Sequence, residues 1–297
     1  MTDHFADRLI SSIESKSTCV VAGLDPRIAR LPEPLREQAS RSRSDAADAI
    51  ESFNRQVIEA VAPFVVAVKP QVAFYENLGW QGWRAFERTV TAAKEADLLV
   101  IADMKRGDIG STAEAYAQAC FQVLDADAVT VNAYLGSDGI MPFAQWAIRG
   151  KGLFVLVKTS NPSSAEVQDI LADGAPIYER MAQLVKLWGR ECRGERGYDA
   201  VGAVAGATYP QQLERLRSLM PETLLLVPGY GAQGGSAADC SGAFDKHGLG
   251  AVVNSSRGII YAFEKSPSGD WQAAVEEAAK QTRDDLEAVR LPKATSS

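Results

Sequence analysis

Three ionisable residues that could do chemistry together fall in one short string, Asp103-Met104-Lys105-Arg106-Gly107-Asp108-Ile109-Gly110-Ser111-Thr112. Asp103 and Lys105 are two positions apart at the end of an apolar run, so an extended backbone sends both side chains to one side. Lys69 closes the preceding apolar run. Neighbouring strands lie about 5 Å apart, which lets its ammonium reach Asp103. The outcome is alternating charge, Lys–Asp–Lys, with Asp108 in the loop that follows. Such an array at a strand end is a candidate reacting centre, with Lys105 beside the reacting atoms of a bound substrate. A purely structural ion-pair network is the competing reading.

A second constellation joins Val227-Pro228-Gly229-Tyr230-Gly231-Ala232-Gln233-Gly234-Gly235 to Asn254-Ser255-Ser256-Arg257-Gly258-Ile259. Glycine-rich loops let backbone N–H groups approach an anion. Arg257 adds a forked, permanently charged contact and Gln233 an amide donor. Two turn-rich connections with an incidental arginine would be the bland alternative. Taken together, the constellations describe an anionic substrate with a phosphate at one end and its reacting atoms near Lys105.

Both must be carried by a regular framework. Apolar runs rich in valine, isoleucine and leucine recur at 18–24, 64–69, 98–103, 128–132, 153–158, 201–206, 223–227 and 250–254. They read as strands covered on both faces. Helical patterns lie between them at 46–61, 82–95, 112–124, 177–191, 210–218 and 271–289. Eight strands alternating with helices predict an α/β fold that closes as a (β/α)8 TIM barrel. An open doubly wound sheet is the alternative, but no GxGxxG follows the first run. In the barrel, active groups gather at the carboxyl ends of strands: Asp25, Lys69, Asp103, Lys105, Asn132, Lys158 with Ser160, residues 228–233, and Asn254 with Arg257. Residues 1–297 read as one domain, with a surface excursion at 27–45, a polar connection at 191–199 and a flexible tail at 291–297.

Composition narrows the function classes. The chain has 297 residues, 46% of them hydrophobic, which is ample for a large core. Thirty-one Lys and Arg against 38 Asp and Glu leave a formal charge of −7, a poor match to nucleic acid or an anionic membrane. Four cysteines without metal-ligand spacing and two histidines argue against a zinc site, a Ser-His-Asp triad or a disulfide framework. Cys19 and Cys120 read as small core residues. The opening MTDHFADRLI shows no leader pattern and no run of apolar residues is long enough to span a bilayer, so a cytoplasmic protein is expected.

The motifs closely resemble the orotidine 5′-phosphate decarboxylase family, in its longer bacterial branch. The resemblance rests on Gly23-Leu24-Asp25-Pro26, Val68-Lys69-Pro70-Gln71, the stretch 103–112, Lys158-Thr159-Ser160-Asn161-Pro162, Pro228-Gly229-Tyr230-Gly231-Ala232-Gln233-Gly234 and Arg257-Gly258. It implies a barrel of the ribulose-phosphate-binding type and conversion of orotidine 5′-phosphate to uridine 5′-phosphate and CO2 in pyrimidine biosynthesis, without cofactor or metal. By the resemblance, Asp25 binds a ribose hydroxyl and Lys69 bridges a ribose hydroxyl and Asp103. Asp103 faces the substrate carboxylate, and Lys105 protonates C6 of the pyrimidine. Asp108, with Thr112 beside it, enters the site of the other subunit of a homodimer. Ser160 meets the pyrimidine edge and Pro228 walls the ring. Gln233, Arg257 and the Gly258 backbone grip the phosphate, which Tyr230 can also reach. Two other readings remain at this stage: a metal-dependent sugar-phosphate decarboxylase or aldolase with the same Asp-Lys-Asp constellation, and a catalytically silent nucleotide-binding barrel.

Overall fold

The apolar runs pair side by side in one parallel, closed barrel, as expected of strands that must be covered on both faces. The computed structural model describes residues 4–266 and 269–290, so the expected tail at 291–297 lies outside the described residues. The barrel strands are β1 (Val20–Leu24), β2 (Ala67–Pro70), β3 (Leu99–Arg106), β4 (Ala128–Val131), β5 (Gly152–Lys158), β6 (Asp199–Ala205), β7 (Thr223–Val227) and β8 (Ala251–Ser255). Each pairs in parallel with its neighbours in sequence, and β8 returns to β1 through Val21 against Asn254.

Amphipathic helices cover the outside. They are α1 (Phe5–Lys16), α2 (Glu33–Ala39), α3 (Arg43–Val61), α4 (Trp80–Glu95), α5 (Gly110–Gln118), α6 (Ser137–Ala147), α7 (Ile177–Gly189), α8 (Pro210–Leu219) and α9 (Trp271–Arg290). Helix α3 starts where Ser42 Oγ accepts from the backbone N–H of Asp45, a cap that satisfies one of the free donors of the first turn. Helix α5 runs on through a π turn at Ala119–Val123, so the pattern at 112–124 holds but is not one regular helix.

Periodicity alone does not single out α1, α2 or α6. Helix α1 buries Phe5, Leu9, Ile10 and Ile13 completely, and the Phe5 ring meets Phe154 edge-on at 6.0 Å. Its Asp7 accepts the backbone N–H groups of Glu195 and Arg196, which ties the 191–199 connection to the amino-terminal segment. The 27–45 excursion is only partly a surface loop. It contains α2, buries Leu31, and lays the Arg30 guanidinium over the Tyr261 ring at 3.8 Å while bonding Glu264 at 2.7 Å.

All four cysteines are buried and free. Burial pushes the Cys120 and Cys240 thiols up to about 12, which keeps them protonated and inert. Among the described residues, no helix is long and apolar enough to cross a membrane.

Candidate active site

The carboxyl ends of the strands open into a cavity of about 680 Å³. At its floor, Asp103 is shared between two cations. Its Oδ2 accepts from Lys69 Nζ at 2.5 Å and its Oδ1 from Lys105 Nζ at 2.5 Å. Thr130 on β4 donates its hydroxyl to the same Oδ1 at 2.9 Å. Asp103 and Lys69 are each 5% exposed, whereas the Lys105 side chain is 45% exposed and faces the open cavity.

The reach of Lys105 is a property of the backbone. Ala102 pairs with Val129 and Arg106 with Val131, so β3 carries more residues than β4 between the same two rungs. This bulge puts Lys105 at a φ of 47°, in the left-handed region that residues with a Cβ seldom occupy. The Thr130 hydroxyl accepts the backbone N–H groups of Met104 and Lys105 at 3.1 and 3.0 Å, and so pins the bulge. Thr130 escapes a motif-based reading, although a lone hydroxyl inside an apolar run is a visible signal.

Burial alone would raise the Asp103 carboxyl, but Lys69 and Lys105 outweigh it and hold the group well below the carboxylate range. Burial alone would lower the Lys69 ammonium, but Asp103 and Asp25 reverse that and hold it above its ordinary value. In an unfolded chain the aspartate titrates near about 3.9. Its contribution to stability is therefore complete above about pH 4 and is lost as the pH falls below that. Lys69 contributes fully below its unfolded value of about 10.4 and loses that contribution as the pH rises through its higher folded value. We expect Asp103→Asn to lower the melting temperature at neutral pH, with the gap to wild type narrowing below about pH 4. Melts showing a gap that persists unchanged to about pH 2 would mean that the lysines do not hold the carboxylate.

Asp25 follows β1 and presents Oδ2 to the Ser256 hydroxyl at 2.6 Å, while its Oδ1 is buried without a partner. Opposite the lysines lie the glycine-rich residues after β7, where Gly229, Gly231 and Gly234 take positive φ. Gln233 Oε1 accepts from Ser160 Oγ at 2.7 Å, and Arg257 donates to the Ala232 carbonyl at 3.2 Å. The loop after β7 is thus already tied to those after β5 and β8.

Asp25, Lys69, Asp103, Lys105, Ser160, Pro228, Tyr230, Gln233 and Arg257 all line the cavity. The Tyr230 hydroxyl, however, bonds Asp285 on α9 at 3.2 Å, and burial together with Asp285 pushes the phenol up to about 12. Asp108 and Thr112 do not line it. Asp108 Oδ1 accepts the Ile109 N–H at 2.8 Å, and Thr112 is exposed on α5. Gly258 is exposed beside Arg257, also outside the lining.

Two strand-end residues turn elsewhere. Asn132 Oδ1 accepts from the backbone of Tyr134. Lys158 is buried under the Tyr209 ring, 4.5 Å from its centroid, and pairs with Asp169 at 2.6 Å. Its charge anchors the segment after β5 instead of serving the cavity. Among the described residues, no group of three or more His, Cys, Asp or Glu side chains is arranged to hold a metal ion. The metal-dependent sugar-phosphate alternative therefore lacks a visible donor set.

Fold and site together define a (β/α)8 barrel with a Lys–Asp–Lys array on one side of its mouth and a glycine-rich, arginine-bearing side opposite. Residues 21–280 match the family described as orotidine 5′-phosphate decarboxylase / HUMPS. A Rhodopirellula baltica orotidine 5′-phosphate decarboxylase is 45% identical over 95% of this chain and 98% of its own length. A Haloarcula marismortui enzyme of that name is 43% identical over 97% and 100%, so relatives of this length extend beyond bacteria. The structure of Leishmania donovani OMP decarboxylase superposes with a TM-score of 0.79 at 31% identity, covering 97% of this chain and 98% of that one. The chain belongs to the orotidine 5′-phosphate decarboxylase / HUMPS family.

Proposed function

We propose that this protein decarboxylates orotidine 5′-phosphate, forming uridine 5′-phosphate and CO2 for pyrimidine nucleotide synthesis. The observation that carries the reading is the buried Asp103 carboxylate shared by Lys69 and Lys105, within a cavity that Arg257 and Gln233 also line. As the bond between C6 and the substrate carboxylate breaks, its electron pair stays on C6, where the ring cannot delocalise it well. The Lys105 ammonium lies beside that carbon, stabilises the growing charge and then donates its proton to it. The amine left behind regains a proton from water. Asp103 keeps Lys105 aimed, and Lys69 balances the second carboxylate oxygen.

Arg257 and Gln233 grip the phosphate at the far end. Binding energy gathered there holds the loops after β5 and β7 over the ring and keeps water out, so that a remote contact lowers the barrier at C6. Arg257→Ala should weaken uridine 5′-phosphate binding by about 1.5–3 kcal/mol, the range for a hydrogen bond to a charged group. Unchanged inhibitor affinity and KM in a titration of that variant would remove Arg257 from the phosphate site.

Asp108 and Thr112 act in the cavity of a second copy. The surface beside them supports this, because Ile109 is 51% exposed and, with Met141 and Pro142, lines a groove next to Asp108. Tyr134, 87% exposed, stands on the same side of the barrel mouth, after β4. Apolar side chains so exposed are what a paired surface would cover.

The test of the whole reading follows the absorbance of orotidine 5′-phosphate with purified protein, with and without EDTA. Rapid loss of substrate with formation of uridine 5′-phosphate, insensitive to chelator, is expected. Folded protein that leaves the substrate intact would overturn the assignment.

A further inference from the structure

We infer that Asn254 is a substrate-binding residue, whose side-chain oxygen accepts a hydrogen bond from a ribose hydroxyl beside Asp25. Asn254 lies near the end of β8, is 8% exposed, and lines the cavity. Its Oδ1 is buried and has no hydrogen-bond partner. A buried polar atom left unpaired costs about 1–3 kcal/mol, so such atoms are rare unless something else completes them. Asp25 Oδ1, in the same cavity, is unpaired in the same way.

The backbone is arranged to admit this pair. Position 23 is glycine, and a Cβ there would fall 2.6 Å from Ser256 Cβ and 3.1 Å from Asn254 Oδ1. Any larger residue would push into the two side chains. With glycine present, Asn254 and Ser256 project inward from adjacent positions of the same face, and Ser256 occupies Asp25 Oδ2. Each of Asp25 and Asn254 is then left with an acceptor oxygen free. Two free acceptors call for a ligand that brings donors, and hydroxyl groups on neighbouring carbons of a ribose supply them. A phosphate or carboxylate supplies none, and the Asp25 charge would repel it.

This rests on the proposed reaction and adds to it how the sugar is recognised. The test compares kcat/KM for orotidine 5′-phosphate and for its 2′-deoxy and 3′-deoxy analogues, in wild type and in Asn254→Ala. Wild type should prefer the ribonucleotide to both analogues. In Asn254→Ala the preference over one of them should collapse by on the order of 10- to 100-fold, while activity on that analogue changes little. Asn254→Asp, which keeps an oxygen in place, should retain the preference. Each comparison is a ratio within one protein, so poor folding that scales all activities alike cannot mimic the result. Undiminished preference over both analogues in Asn254→Ala would overturn the assignment. Wild-type turnover of orotidine 5′-phosphate in the same experiment separates that failure from a failure of the decarboxylase reading.

Discussion

Lys105→Ala is expected to lose turnover by about four orders of magnitude or more, because it removes both a positioned proton donor and the charge that stabilises the carbanion. Binding of uridine 5′-phosphate should change far less. The product carries no carboxylate and no carbanion, so it uses the ammonium little, and most of its affinity comes from the phosphate and sugar ends. The loss should therefore fall on kcat. Stability should not suffer much either, since the Lys105 side chain is nearly half exposed and Asp103 keeps Lys69 and Thr130 as partners. A continuous absorbance assay, a product titration and a thermal melt check the three points. Activity near that of wild type would remove Lys105 from the chemistry.

The second large effect concerns two inactive proteins that should rescue each other. If Asp108 works in the partner's cavity, Asp108→Ala and Lys105→Ala each spoil both sites of a homodimer. In a mixed dimer the lesions segregate, and one site holds both while the other holds neither. Random pairing of equal amounts makes half of the dimers mixed, so activity should return to about a quarter of wild type in a symmetric two-site dimer. Co-expression with two different tags isolates the mixed dimer and sharpens the measurement. Verified mixed dimers without recovery would show that Asp108 acts in its own chain's cavity or not at all.

The fold was largely legible because strands buried on both faces must be apolar along their whole length. That requirement leaves runs such as 223–227, which coincide with Thr223–Val227. Charges placed directly after such runs, at Lys69 and beyond Ala102, announce the mouth of the barrel. Helix α1 was harder to read. Its apolar face is short, and nothing in its own sequence says that the barrel needs a cover where Phe154 would otherwise be bare. Helix α2 is shorter still and lies in a proline- and arginine-containing stretch that reads as a loop.

The site divides in the same manner. Residue type and position along the chain, which the sequence carries, point to Asp25, Lys69, Asp103, Lys105, Gln233 and Arg257 as candidate site residues, and all six line the cavity. The direction in which each points, and its partners, follow from register and bulges between strands far apart in sequence, and only the tertiary structure decides these. Lys105 faces the cavity because β3 bulges against β4 and Thr130 pins the bulge. Lys158, also at a strand end, is drawn instead to Asp169. Ser256 reaches Asp25, and Asn254 comes in beside Gly23, because the barrel closes β8 onto β1 across a glycine. The sequence by itself determined that this is a barrel carrying these charged groups at its mouth, since burial and local spacing are written into neighbouring residues. Which oxygen is occupied and which remains free depends on contacts made across the closed sheet, where no neighbouring residue records it.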